Sequence, residues 1–563
     1  MHINRTNERG GRSTHRSICT LAISALLVAA CGSTATTTPP VATASPGGAT
    51  AGQSTATPAK TGGTLIFAFS QPPDSLDPAL ANTSTSAMID QDIFDRLVWK
   101  RPGDSTYTPG LATSWDISPD AKEYTFHLRQ DVKFQDGTPF NAQAVKFTFD
   151  RIANPATKAG LAGSALSVAS YASTTVSDDY TAKVLFNQPN GSFLNMLTTI
   201  YLAPLSPTAV TKWGTDFQDH LVGTGPYMLK EYVHGDHVTL VRNPDYKWAP
   251  SIFKHQGAAY LDAIEYRQIS DDSTRVAALK SGEVTLIDTV AAPDFTSLKA
   301  DPAYQTMLAG TSGQGWHDDM NVINPPTDDP IVRKAVQESV DRATLSAALF
   351  AGTLPAFGGI IENNMIGYNP DQEKIVTYDP TDAAKRLDSD GWTMGSDGYR
   401  HKNGKTLELI QLQWPGFGME NMTVGIQGML KEVGIKLDIK SLDFAAGMAL
   451  MDQKTTYNLQ MNFQWYADPT GLEVLYKCPP AVYNYSWTCN PTLEEYLKQG
   501  RAAVTDEARA GFYDSAVRWL LNNGVAIPLF SKKVVLAGTN QFKMGDMFLN
   551  PEGYPNFYDV SMQ

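Results

Sequence analysis

Cysteine is scarce in this chain: Cys19, Cys31, Cys478 and Cys489 are the only four in 563 residues. An excess of basic charge is missing too, since 45 Lys and Arg stand against 58 Asp and Glu, a formal charge of −13. Nucleic acid, which is recognised by a basic face, is therefore not an expected partner. Beyond residue 31 no apolar run approaches the ~20 residues that a membrane helix needs. Enzyme signatures are absent as well: there is no Gly-x-Ser-x-Gly, no His-Glu-x-x-His and no P-loop. Ser251 to Lys254 fits Ser-x-x-Lys, but no companion motif follows it. His234 and His237 in "HGDH" make only a weak metal site, and the polarity of a turn explains them. Carboxylates are common in any acidic chain and do not by themselves specify a glycosidase pair. The chain therefore reads as a non-enzyme with no cofactor and no metal.

What is present begins with a basic head, Arg5, Arg9, Arg12 and Arg16, followed by an almost wholly apolar or small run from Ile18 to Ala30. That run is too short to span a bilayer and reads as a secretory signal, residues 1–30. Val28-Ala29-Ala30-Cys31 resembles the bacterial lipobox, which implies cleavage before Cys31 and a lipid on that cysteine. An ordinary signal peptide cut at Ala-x-Ala, with Cys31 incidental, is the other reading. Residues 31–63 are nearly all Ser, Thr, Ala, Pro and Gly, a composition that buries too little to fold and suits a tether. The folded body is thus placed outside the cytoplasm, held to the outer face of the membrane by lipid alone. There Cys478 and Cys489, eleven positions apart, are expected to bond. A zinc site would need four ligands, and no histidine is near.

About 500 residues remain, enough for two or more domains. Leu65 to Phe69 reads as a buried strand stopped by Pro72 and Pro73. Met88, Ile89, Ile93 and Leu97 recur near helical spacing, and Tyr124, Phe126 and Leu128 alternate as in a half-buried strand. Asp136-Gly137 signals a turn, and Asn141 a helix N-cap. Tyr227 to Val241 reads as a hairpin turning at Gly235-Asp236. A capped helix ends at Gly282, Asp329-Pro330 and Asp379-Pro380 open two more, and the segment from Asn421 gives a helix, a stop at Gly434 and a strand. Helix and strand alternate throughout, so the class is α/β.

The order of "GGTLIFAFSQPPDSLDPAL", "LATSWDISPDAKEYTFHLRQDVKFQDGTPFNAQAVKFTFDR", "VGTGPYMLKEY", "VRNPDYKW", "RVAALKSGE", "NPPTDDPIVRKAVQESVDR", "VGIKLDI" and "NYSWTCNPTLEEYL" resembles the family-5 extracellular solute-binding proteins of ABC importers. The resemblance covers about residues 62 to 535. It implies a periplasmic-binding-protein-like fold of two lobes with an extra inserted domain. By analogy lobe I takes 64–83, 216–310 and 525–563, the extra domain 84–215, and lobe II 311–524. It also implies that a monomer encloses a small solute between the lobes and hands it to permease subunits.

A short peptide is the expected ligand, with an oligosaccharide or another small solute, such as a nickel complex, as the alternative. Asp468 in "FQWYADPTG" matches the family's Asp that pairs with a peptide amine, with Trp465 and Tyr466 before it, although Pro469 follows at once and leaves the register open. Asp468 capping a turn is the plainer reading. Ser70 and Gln71 end the first strand, where peptide binders touch the ligand backbone. Asn321 matches the Asn before the Pro-Pro turn, Trp316 and His317 lie just upstream, and Trp414 ends another strand. Aromatic faces suit apolar side chains and sugars alike. A hydrolase, or a sensor lipoprotein with no importer, are the rival roles.

Overall fold

The computed structural model describes residues 60–104, 106–413, 420–462, 468–479 and 483–563, all within one unit, Pro58–Gln563. The signal segment, the tether up to residue 59 with Cys31, and Trp414, Trp465 and Tyr466 lie outside the described residues.

The first strand, Thr64–Phe69, forms where two glycines release a run of apolar residues, and its side chains from Phe67 onward are buried. It pairs in parallel with Ala263–Gln268 and with Leu286–Ile287. These belong to a seven-stranded sheet ordered Tyr304–Gly310, Lys533–Thr539, Leu286–Ile287, Thr64–Phe69, Ala263–Gln268, His237–Arg242, Tyr227–Val233. The hairpin read from sequence is its outer edge, and Gly235 supplies the positive φ (77°) of its turn. A second sheet has five strands, ordered Lys436–Ser441, Glu408–Gln413, Leu459–Asn462, Trp316–Met320, Ala526–Phe530. A third, four-stranded and antiparallel, runs from Ala112–Ile117 to Tyr171–Asp178.

One apolar core joins the first and third sheets: Leu65 and Phe67 of one belong to the same cluster as Tyr124, Phe126 and Phe193 of the other. The five-stranded sheet has its own core under the helices Pro330–Glu338 and Glu420–Glu432. The helices Pro491–Ala502 and Asp506–Asn522 sit over another. The two lobes therefore have separate interiors.

The chain passes between them twice. Tyr304–Gly310 of the first sheet leads through residues 311–315 to Trp316–Met320 of the second, and Ala526–Phe530 of the second leads through Ser531 and Lys532 to Lys533–Thr539 of the first. Gly310 faces Lys533, and Trp316 faces Phe530, so the crossings run side by side. This corrects the expected division at 524: strand Ala526–Phe530 pairs with Trp316–Asp319 in the second sheet, and the passage falls at Ser531–Lys532. The Cys478–Cys489 disulfide is formed.

Candidate functional site

Strand direction aims both lobes at the crossings. In the first sheet the parallel strands Thr64–Phe69 and Leu286–Ile287 end toward the Lys533 end of their neighbour. In the second, Glu408–Gln413 and Leu459–Asn462 run parallel to one another and opposite to Trp316–Met320, so they end near Trp316. Ligands of open α/β sheets bind beyond such carboxyl ends. The segments 414–419 and 463–467, which hold Trp414, Trp465 and Tyr466, follow directly from those ends.

Ser70 stands at the end of the first strand, with Oγ 3.5 Å from Asp288 Oδ2 and 3.3 Å from Thr289 Oγ1; Gln71 beside it is exposed. Arg275, fully buried, ties this turn by donating to the carbonyls of Ile269 and Ser270 (2.8 and 3.0 Å). Trp316 is buried in the core of the second lobe. His317 has no exposed surface: Nδ1 donates to the Gly315 carbonyl (2.7 Å), and Nε2 lies 3.1 Å from Tyr476 Oη. Tyr476 in turn donates to Asp319 (2.7 Å), which also accepts from Asn462 (2.6 Å). These four form a buried network beside the crossing.

Asn321 sits elsewhere. It follows the far end of its strand, and its Nδ2 donates to the carbonyls of Lys454 (2.5 Å) and Tyr457 (3.2 Å). This corrects its expected place in the cleft: the side chain shapes the turn before Pro325-Pro326. Asp468 is also engaged, its two oxygens accepting from Arg509 Nη2 at 2.6 and 2.7 Å while Oδ1 accepts from the Thr470 amide (2.9 Å). The turn-capping reading of Asp468 thus holds in the geometry. Burial works against the charge of Arg509, but Asp468 outweighs it and holds the guanidinium above its usual range. His234 and His237 each face a carboxylate of their own surroundings, Asp219 (2.7 Å) and Asp236 (2.9 Å). Among the described residues, no group of three or more His, Cys, Asp or Glu is arranged to hold a metal ion, and no helix is long and apolar enough to cross a membrane.

Two cavities open along the seam. One, of ≈ 100 Å³, lies between Leu161, Ser164, Asn195, Met196 and Tyr201 on one side and Asp468, Thr470 and Val474 on the other. A smaller one is lined by Lys100, Asn195, Ser312, Asn364 and Pro551. Asn195 borders both, so they are adjoining parts of one cleft.

Around the crossings lies a set of buried charges that sequence reasoning missed. Glu362 accepts from the Lys532 amide (2.5 Å) and the Ser531 hydroxyl (2.8 Å), and burial raises its pKa. Burial drives Lys532 well below the usual lysine range, with Glu362 and Glu552 pulling the other way. Burial pushes Glu552 up to about 7 despite the attraction of Arg96 and Lys532. Arg96 is brought down to about 10 by burial, and its guanidinium lies over the Trp99 ring at 4.3 Å. The available signal was a charge set inside an apolar or aromatic run, Arg96 in "IFDRLVW" and Glu552 in "NPEGYPNF".

The lobes touch at the outer lip of the cleft. Gly191 N donates to the Arg501 carbonyl (2.7 Å), and Arg501 reaches Gln188 Oε1 (2.8 Å) and Glu473 Oε1 (3.0 Å). Burial raises Glu473 to about 7, and Arg501 offsets part of that rise.

Residues 106–482 match the model of the bacterial extracellular solute-binding proteins, family 5. Among curated relatives, the glutathione-binding protein GsiB of Shigella flexneri serotype 5b is 28% identical over 503 residues, covering 87% of this chain and 92% of that protein. Among solved structures, the periplasmic binding protein DppA of Helicobacter pylori in complex with the peptide STSA superposes with a TM-score of 0.74 at 24% identity, over 89% of this chain and 98% of that one. NikA from Brucella suis with Fe(III)-EDTA gives a TM-score of 0.76 at 24% identity, over 88% and 100%. These structural likenesses carry the fold.

Proposed function

From the premise that this chain belongs to the family-5 bacterial extracellular solute-binding proteins, we propose that it captures a short peptide between its lobes and passes it to the permease of an ABC importer. The observation that supports this most is the cleft itself: two lobes with separate cores, linked by paired strand crossings, share cavities lined by residues from both. Such a clamp shifts between open and closed forms by the differential affinity of its solute. A peptide is favoured as the solute by the relative named for glutathione binding and by the buried charges near the crossings, which suit a zwitterion better than a neutral sugar.

Within this reading Ser70 and Gln71 contact the solute from lobe I, and Trp414, Trp465 and Tyr466 from the strand ends of lobe II, while Trp316 packs in the core of that lobe. His317 holds the wall through Tyr476, and Asp468 through Arg509. The clamp acts as a monomer without performing chemistry, anchored outside the cell by a lipid on Cys31. Cys31→Ser should move it from the membrane fraction to the medium; retention at the membrane would refute the anchor.

A thermal-shift panel on the purified chain tests the solute class. Di- to pentapeptides and glutathione should raise the melting temperature, while cello- and manno-oligosaccharides leave it unchanged. The reverse pattern would overturn the peptide reading, and native mass spectrometry of any carried-over solute gives an independent answer.

A further inference from the structure

Glu552 is one of the least explained charges among the described residues. It lies in the loop between the short strands Phe548–Leu549 and Pro555–Asn556, and only 2% of it is exposed. Neither carboxylate oxygen has a hydrogen-bond partner on another residue among the described ones. A buried carboxylate left so is costly, and an unsatisfied buried group of this kind calls for a partner or a functional role. The loop is tied to the crossing: Ser312 N donates to the Pro551 carbonyl, and a side chain on Gly553 would strike Thr311 Cγ2 at 2.6 Å. Pro551 and Ser312 both line the smaller cavity, and Tyr201, whose titration responds to Glu552, lines the larger.

The sign of the missing partner follows from the charges around it. Five buried carboxylates, Asp90, Asp92, Asp95, Glu362 and Glu552, gather here with two buried cations, Arg96 and Lys532. Asp92 and Asp95 are satisfied by hydrogen bonds from Tyr266 (2.6 Å) and Trp248 (2.9 Å), and Glu362 by the crossing. Asp90, like Glu552, has both oxygens without a hydrogen-bond partner on another residue among the described ones. Arg96 and Lys532 together leave Glu552 raised to about 7, so the resident cations do not offset its burial. A further positive charge would.

We propose that Glu552 receives an ammonium group of the solute, seated where the crossings meet the cleft. The inference rests on the reading of the chain as a peptide-capturing clamp, and it assigns amine recognition to the C-terminal loop of lobe I, while Asp468 is spent on Arg509.

The test incubates the purified full chain with a tryptic digest of casein, or with the same digest fully acetylated on its amines. Gel filtration removes the unbound pool, and mass spectrometry reads what stays. Wild-type chain should retain peptides from the free pool at least about tenfold over the acetylated pool, and Glu552→Gln should lose that retention while melting no lower than wild type without solute. Equal retention of both pools by wild type overturns the proposal and leaves peptide capture standing, as does undiminished, amine-selective retention by Glu552→Gln. Retention from neither pool by wild type ends the peptide reading, and this proposal with it. If Glu552→Gln does not fold, Glu552→Met, which also removes the charge, takes its place in the same comparison.

Discussion

At the scale of single residues, burial sets the terms. Asp468 and Arg509 are nearly or wholly buried, and each is the other's main partner. Removing one partner of such a pair strands the other, at about 3–5 kcal/mol, whereas replacing both with apolar groups costs far less. Asp468→Ala should therefore lower the unfolding free energy by that amount in urea titrations, and Asp468→Ala with Arg509→Met should recover most of it. A double variant as unstable as the single would refute the pairing. Other buried carboxylates behave differently. Burial pushes Asp92 and Asp318 up to about 7 and Asp95 and Asp288 up to about 6, with hydrogen bonds, Arg96 beside Asp92 and Asp95, and Arg275 beside Asp288 offsetting only part of the rise. Between about pH 4 and 7 the folded chain then holds protons that the unfolded chain has lost, and stability falls as pH rises through that window. Melting scans should give a higher transition at pH 5 than at pH 8; a transition that climbs steadily from pH 5 to 8 would contradict these assignments.

At the scale of elements, much was legible because local chemistry decides it. Asn141 caps the helix Ala142–Ala153 by accepting from the Ala144 amide, Asp271 and Gly282 bracket Asp272–Ser281, and Pro330 and Pro380 open helices behind Asp caps. Tyr124, Phe126 and Leu128 alternate inward as read. The helix Ser84–Ile93 ends sooner than the spacing to Leu97 suggested, since Phe94 turns extended and Val98–Trp99 pair as a strand. Pairing between strands was not legible: the first strand meets partners about two hundred positions away, and no local pattern encodes that. Arg96 and Glu552 escaped for the same reason, since only the fold brings them together. The cystine was legible from compartment and spacing, and it closes a loop of about 12 residues, which contributes about 3 kcal/mol by restricting the unfolded chain. The Cys478→Ser, Cys489→Ser double variant should lose that much stability relative to wild type and nothing relative to reduced wild type. A larger loss in the variant than on reduction would point to damage beyond the cross-link.

At the scale of the whole molecule, closure rests on a close backbone approach. A Cβ at Gly191 would fall 1.7 Å from the Ala503 carbonyl oxygen, and Gly191 has no positive φ that would itself resist a side chain. Gly191→Ala should therefore fold normally and hold the lip apart. A bias of about 1.4 kcal/mol toward the open form weakens apparent affinity about tenfold. Small-angle scattering should show wild type contracting with solute and the variant contracting less; equal contraction would show that the lip plays no part in closing.

The passage at Ser531–Lys532 is two residues long, set directly between two strands. A leash of that length reaches at most about 7 Å and has no slack to give. The halves can tilt but can neither slide nor part, so each cycle returns the same walls to the same facing positions.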